Sequence, residues 1–491
     1  MKKYIIQSSV ILPAAALLSM LTACPADALE KHKNIKGLFN STRDVAIKCI
    51  ECHRKEAEEV LQSTHWTWKR TRTVNGRTTT FGKKNSLAGF AIDISTNPSR
   101  CLRCHISSSP LDNNFDKPEA AMVDCLVCHD TTGRYARNSE GKILEQDDFE
   151  LIARNVGRPA PGNCTICHFA DCGLSVTSES STAASNRRYP PQGDIHMTGT
   201  VGALTCQTCH INSSGHSFSR SMTQHMGASS KEQGCASCHT NTPHTLDQLN
   251  QHSSVISCQT CHIPEYARRT PAIISWNWIL TEKGDSIFQS APGGSILAQD
   301  KNGFSTGTMM QPVYRWDDGN DQVYERGQRI RPQELTFLQK PSERSPNSKI
   351  TPFHVLYGTQ LYDTKYRYLI SPLLTPRGNA LFSGSDWDTI AREGMKALVV
   401  PYSGQYGVAP TAIYRRINHG VVPTEDALGC LDCHGREGRI NWESLGYDQD
   451  PWTGRQAKIN AREPLQEGRD FQVKEKLPPV QETVLPSEPA F

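Results

Sequence analysis

Apolar residues are scarce in this 491-residue chain. Only 37% of it is hydrophobic, and 29 prolines and 35 glycines interrupt what there is. That is thin for a core built from side chains alone, even though the length would hold two or three ordinary domains. An excess of charge of one sign is missing too: 53 Lys and Arg against 50 Asp and Glu leave a formal net charge of +3, which argues against a nucleic-acid partner. After residue 21 no stretch is apolar enough to span a membrane. Cysteine outside one pattern is almost absent, and this leaves little for a disulfide framework to use.

That pattern is C-x-x-C-H, which occurs eight times and takes 16 of the 18 cysteines. The copies are Cys49, Cys52 and His53; Cys101, Cys104 and His105; Cys125, Cys128 and His129; Cys164, Cys167 and His168. Then come Cys206, Cys209 and His210; Cys235, Cys238 and His239; Cys258, Cys261 and His262; Cys430, Cys433 and His434. Two thiols at this spacing form thioethers to the vinyl edge of a porphyrin, and the adjacent histidine becomes the proximal iron ligand. Paired cysteines also hold zinc or cycle as dithiols, but neither use requires a histidine after every second cysteine. The implied cofactors are eight covalently bound c-type haems, whose apolar volume supplies the core the side chains lack. The expected fold class is a multihaem c-type cytochrome. It would be mainly α and irregular, with short helices and loops around a haem stack and few short strands in the 270–335 region.

Each electron-carrying iron needs a second axial group. Nine further histidines exist: His32, His65, His196, His216, His225, His244, His252, His354 and His419. His32 lies in a polar lead-in and is set aside. The other eight match eight irons, with His354 serving either as a distal ligand or as a proton donor.

Along the chain, residues 1–28 read as a secretory signal. Lys2 and Lys3 precede an apolar run ending at Leu21, then small residues to Ala28. Cleavage before Leu29 would release a soluble periplasmic protein, whereas Leu21-Thr-Ala-Cys24 would suit acylation of Cys24. Residues 29–265 form a haem-dense part with seven attachment sites, and Arg54–Leu61 reads as helix. Residues 266–450 form a haem-poor covering part with the eighth site. There Pro312–Trp316 and Val323–Tyr324, joined by Asp317–Asp321, read as a hairpin. Residues 451–491 form a polar tail expected to be disordered. Between Val60 and Ile92 no acidic residue occurs while Lys69, Arg70, Arg72, Arg77, Lys83 and Lys84 are basic. This segment is either an anion-attracting funnel or counter-charge for haem propionates. Cys172 is left as an inert thiol or a group beside a haem.

Several stretches resemble the octahaem tetrathionate reductase family. They are His65-Trp-Thr-Trp68, Val123–Gly133, Asp194-Ile-His-Met197, Cys258–Pro264 and Gly429–Gly435. The match runs from about Asp44 to Asp450, and the family is related in haem arrangement to hydroxylamine oxidoreductase and pentahaem nitrite reductase. The resemblance implies a periplasmic reductase with seven bis-histidine haems and one catalytic iron, at Cys101, Cys104 and His105. The family ligates that iron with a lysine from a Gly-rich stretch after the fourth motif. Here that stretch is Phe169–Ser178, and no lysine occurs between Lys142 and Lys231. A cysteine the family carries near the catalytic haem falls at Ala91.

Three functions follow from these readings. The first is reduction of a small anionic or N/S substrate, with Arg100, Arg103, Lys83 and Lys84 contacting the anion and Cys172 near the iron. The second is pure electron transfer, with the second iron closed by Cys172 or a spare histidine. The third is oxidation of the hydroxylamine type. A periplasmic or membrane-bound electron donor is the expected partner.

Overall fold

The computed structural model describes residues 31–67, 69–74, 77–82, 85–87, 96, 105–108, 119–135, 137, 143, 148–168, 193–198, 204–210, 212–214, 216–218, 234–268, 271–277, 295–299, 304–373 and 387–453. Residues 1–30, which include the expected signal segment, and the tail after 453 lie outside the described residues.

The helices are α1 (Thr42–Gln62), α2 (Thr64–Thr67), α3 (Leu126–His129), α4 (Phe149–Arg154), α5 (Pro161–His168), α6 (Cys206–Cys209), α7 (Ala236–His239), α8 (Asp247–His252), α9 (Cys258–His262), α10 (Trp387–Ala397) and α11 (Cys430–Cys433). Most are a turn or two long, and the attachment motifs explain why. In C-x-x-C-H the reactive residues stand at i, i+3 and i+4, which one helical turn brings to a single face. Beyond that turn the local sequence has no reason to continue.

The longest helix, α1, begins before the first motif. Ser41 caps it by accepting from the Asp44 N–H at 3.2 Å, with Asp44 in the first turn favoured by the helix dipole. It therefore takes in much of what reads as lead-in, and runs through Arg54–Leu61 to Gln62. At His53 the backbone leaves helical geometry (φ −116°, ψ 34°), so the helix kinks at its own attachment histidine. Val45, Ala57, Trp66, Ile106, Leu126 and Ile152 form a buried cluster that packs α1 against α3 and α4.

The strands are β1 (Lys69–Val74), β2 (Arg77–Gly82), β3 (Asn212–Ser214), β4 (Ser217–Phe218), β5 (Ala272–Asn277), β6 (Ser295–Gln299), β7 (Phe304–Thr308), β8 (Val313–Asp317), β9 (Asp321–Val323), β10 (Thr336–Pro341), β11 (Lys349–Asp363) and β12 (Tyr406–Arg416). The basic segment folds as the antiparallel hairpin β1–β2. The haem-poor region forms an eight-stranded mixed sheet, ordered β6-β7-β5-β11-β12-β10-β9 with β8 also on β11.

This sheet corrects the expectation of a mainly helical fold with few short strands. Its centre is the 15-residue β11, buried along nearly its whole length, as a strand covered on both faces must be. Gly358 sits at its middle because the Trp276 indole lies 2.1 Å from where a Cβ would stand. The expected hairpin of residues 312–324 is also corrected. β8 pairs with β11, and β9 pairs with β10. The Asp-rich turn between them instead receives Arg416, which donates to Asp317 at 2.5 and 2.6 Å and to Asp321 at 2.7 Å. Both carboxylates are buried, so the turn is fixed by paired charge rather than by strand pairing.

The sheet is tied to the attachment sites. Thr260 on α9 donates to the Ile350 carbonyl of β11 at 2.8 Å, and the Ser257 N–H donates to the same oxygen at 3.0 Å. Among the described residues no helix is long and apolar enough to cross a membrane.

Candidate functional site

The described cysteines form no disulfide, and each described attachment motif lies on or beside a helical turn. Thiols of successive motifs approach one another. Cys49 meets Cys125, Cys164 meets Cys206, and Cys235 meets Cys258 in hydrogen-bonding contact. Cys128 and Cys164, Cys209 and Cys238, and Cys261 and Cys430 lie near enough to feel each other's charge. The motifs thus follow one another in space in the order one, three, four, five, six, seven, eight.

Histidines pair across this line. The attachment rings of His53, His129, His168, His210, His239, His262 and His434 face His32, His216, His65, His419, His196, His244 and His252, respectively. The centroid separations are 6.0, 6.3, 6.1, 6.1, 5.9, 6.2 and 6.4 Å. Two imidazoles on opposite sides of one metal, each with a metal–nitrogen bond of about 2 Å and a ring radius of about 1 Å, would have centroids about 6 Å apart. Seven pairs at this one spacing are what a bis-histidine iron requires.

Hydrogen bonds aim the rings. The Nδ1–H of His129 donates to the Gly157 carbonyl at 2.8 Å. Those of His196, His216 and His434 reach Asp194 at 3.0 Å, Glu59 at 3.3 Å and Asp450 at 2.6 Å. Each anchored Nδ1 leaves Nε2 as the metal-facing nitrogen. Asp194 also accepts from the Gly420 and Val421 N–H groups at 2.8 and 3.1 Å, so one carboxylate positions His196 and the loop carrying His419. Gly420 makes that loop possible with φ +100°. Burial lowers the pKa of His65, His129, His168, His252 and His262, and takes His419 to about 4. All are then held neutral, the form that ligates iron.

His32, set aside on sequence grounds, stands 6.0 Å from His53. Its segment is tied down: Arg154 Nε donates to the Ile35 carbonyl at 2.8 Å, and the Gly37 N–H donates to Glu150 at 3.2 Å. His354 lies elsewhere. Its Nε2–H donates to the Ile273 carbonyl at 2.9 Å, and its ring lies against Tyr266, tilted 34°, with centroids 4.6 Å apart. Burial pushes its pKa down to about 3, with Arg415 adding to the shift, so it is neutral and poorly suited to supply a proton. We expect His354→Gln to leave the number of low-spin haems unchanged and to cost about 1–3 kcal/mol of stability. Electron paramagnetic resonance and thermal unfolding would check both halves. His225 lies outside the described residues.

The second attachment site is built differently. Its Cys101 and Cys104 lie outside the described residues, as do Lys83, Lys84, Arg100, Arg103 and Cys172. His105 is described and buried. The Trp66 indole lies 5.3 Å from its ring, and Nε2, not Nδ1, stands 3.2 Å from the Trp66 carbonyl. Burial carries its pKa down to about 4. Behind it Arg137 donates to the His105 carbonyl at 2.7 Å and the Ser107 carbonyl at 2.8 Å, and pairs closely with Asp124. Tyr135 donates to Asp124 and accepts from Arg137 Nε at 3.2 Å. Burial opposes the charge on Arg137, but Asp124 and Tyr135 outweigh it and raise its pKa. Asp124 directly precedes Cys125, so this network joins the second site to the third. Trp66 joins it to the fourth, because the neighbouring His65 faces His168.

Residues 273–437 match a family model described as bacterial cytochrome c, and residues 48–130 match one described as cytochrome c554 and c-prime. Among solved structures, an octahaem cytochrome c from Shewanella oneidensis is 35% identical. It superposes with a TM-score of 0.75, covering 87% of this chain and 98% of that one. The chain belongs to the octahaem cytochromes c. It carries eight covalently bound c-type haems, one for each motif. A comparison with curated proteins finds no match. In this octahaem cytochrome the residues fit the cofactor on their own evidence: paired cysteines left unoxidised, and imidazoles spaced for iron. Sequence reasoning had no signal for Arg137 and Tyr135, which meet Asp124 only through a turn. In that turn Asp130 accepts from the Thr132 N–H at 2.8 Å and Gly133 takes φ +73°.

Proposed function

We propose that this octahaem cytochrome is a periplasmic reductase of the tetrathionate reductase family. It would act on a small sulfur or nitrogen oxyanion or compound of the tetrathionate, nitrite or hydroxylamine type. The observation that carries the reading is the setting of His105. His105, at the motif where the resemblance puts the catalytic iron, lies against an indole and a backbone carbonyl, with a buried guanidinium bound to its own carbonyl. A haem iron with an exchangeable axial position binds small anions and passes electrons to them one at a time.

The chain's residues supply the rest. Trp66 and the cluster of Val45, Ile106 and Leu126 keep water from the His105 side, which strengthens any charge interaction there. Arg137, its charge balanced by Asp124, fixes the backbone of residues 105 and 107. Under this reading His65, paired with His168, lets the fourth site feed the second through Trp66. Lys83, Lys84 and Arg103 are the proposed anion contacts, and a periplasmic or membrane-bound donor supplies the electrons.

A pure electron carrier is the second reading, favoured by the lysine-free run from 143 to 230 where the family holds its catalytic ligand. Turnover separates them. With reduced viologen as donor, oxidation on addition of nitrite, hydroxylamine or tetrathionate is the expected result. Indifference to all three would leave the carrier.

A further inference from the structure

We infer that the surface around the eighth attachment site is a docking face for a small, basic electron-transfer protein. Three observations meet there. The first is position: the eighth motif approaches only the seventh among the described motifs, through Cys261 with Cys430 and Cys433, and so ends the line of sites. Electrons enter or leave a line at an end.

The second is exposed apolar surface. Leu431 follows Cys430 by one residue, about 100° round the helical turn from the face that holds the cysteines and histidine. It therefore points away from the porphyrin, and it is 78% exposed. The corresponding Leu126 at the third motif is 1% exposed. Trp452, edge-on to the His434 ring at 5.0 Å, is 57% exposed. Leu246 precedes α8, the helix supplying His252 to the same pair, and is exposed as well. Large exposed apolar side chains that gather in one patch, unlike scattered single ones, mark a contact surface.

The third is charge. Glu425, Asp426, Asp432, Glu437, Glu443 and Asp448 are all exposed, against two exposed cations: Arg436, and Arg344 over the Trp316 ring beside Tyr447. This acidic rim sits in a chain whose overall charge is positive. The other end of the line has no such bias: exposed Leu38 and Ile47 near the first motif stand among Lys36, Lys48, Arg54, Glu51 and Glu58. An apolar centre with an acidic rim fits a partner with a basic rim around its own redox centre. In the exchange one electron crosses: the reduced centre loses it, the ferric iron on the other side gains it, and no proton or bond is involved.

The inference needs the eighth haem but not a substrate, so it can fail while the reductase reading stands. Basic mitochondrial cytochrome c is a suitable probe. Reduced holoprotein is mixed with the ferric probe by stopped flow at rising ionic strength. We expect a second-order rate that falls steeply with salt. In the triple variant Glu437→Gln, Glu443→Gln, Asp448→Asn it should be about tenfold slower at low salt and less salt-dependent. Re-oxidation by a small neutral oxidant should be unchanged in that variant. Glu51→Gln with Glu58→Gln, at the opposite end, should react like wild type. The inference is overturned if the triple variant matches wild type, or if the Glu51 and Glu58 pair has the same effect. It is also overturned if sedimentation shows a wild-type dimer that the triple variant splits, since the face would then be a self-contact.

Discussion

His32→Ala is expected to turn one of the eight haems from low spin to high spin. His32 stands 6.0 Å from His53, tilted 40° to it, on a helical turn held by Arg154 and Glu150. Burial lowers its pKa, with His53 adding to the shift, so it is neutral when a metal needs it. Alanine removes the nitrogen and leaves nothing of similar reach. The thioethers from Cys49 and Cys52 do not depend on His32, so the haem content should not change. The check is spin quantitation of the oxidised protein, where the high-spin signal should grow by one haem relative to wild type. An unchanged spectrum would mean that the 6.0 Å pair does not hold the first iron.

Arg137→Met should have the largest effect on the second site. The guanidinium is buried against a fully buried Asp124 and ties down the His105 and Ser107 carbonyls. Removing it leaves a carboxylate without its counter-charge, which costs about 3–5 kcal/mol. It also frees the backbone that sets His105, and a misplaced reaction centre loses about a hundredfold in rate. Lysine would restore the charge without the planar fork that reaches Asp124 and two carbonyls together, so Arg137→Lys should recover only part of the loss. Thermal unfolding and viologen-linked turnover measure the two losses. The low-spin signals of the seven paired haems should stay as they are, which distinguishes a local effect from general unfolding. Wild-type turnover in Arg137→Met would remove the network from the account.

Much of the cofactor chemistry was legible because C-x-x-C-H is a local code: spacing alone brings two thiols and an imidazole to one face of a turn. The partner histidines are a long-range matter. His210 and His419 are 209 positions apart, and composition can say only that enough histidines exist. The dismissal of His32 came from reading a polar stretch as loose, when its order is imposed by Arg154 and Glu150 from another part of the chain. His354 was counted among the ligands on number alone, but β11 carries it toward the Ile273 carbonyl. The sheet was missed for a related reason. β11 contains Pro352, His354 and Gly358 and lacks the alternation of a half-exposed strand, because both its faces are covered. Gly358 looks like a breaker until Trp276 is placed over it.

The central claim is that the second iron differs from the other seven. Its most direct test is electron paramagnetic resonance of the oxidised holoprotein with and without nitrite. Low-spin signals are expected for seven haems, with one further ferric signal that nitrite perturbs. Eight low-spin haems indifferent to nitrite would contradict it and leave an electron-transfer cytochrome in which every iron is closed.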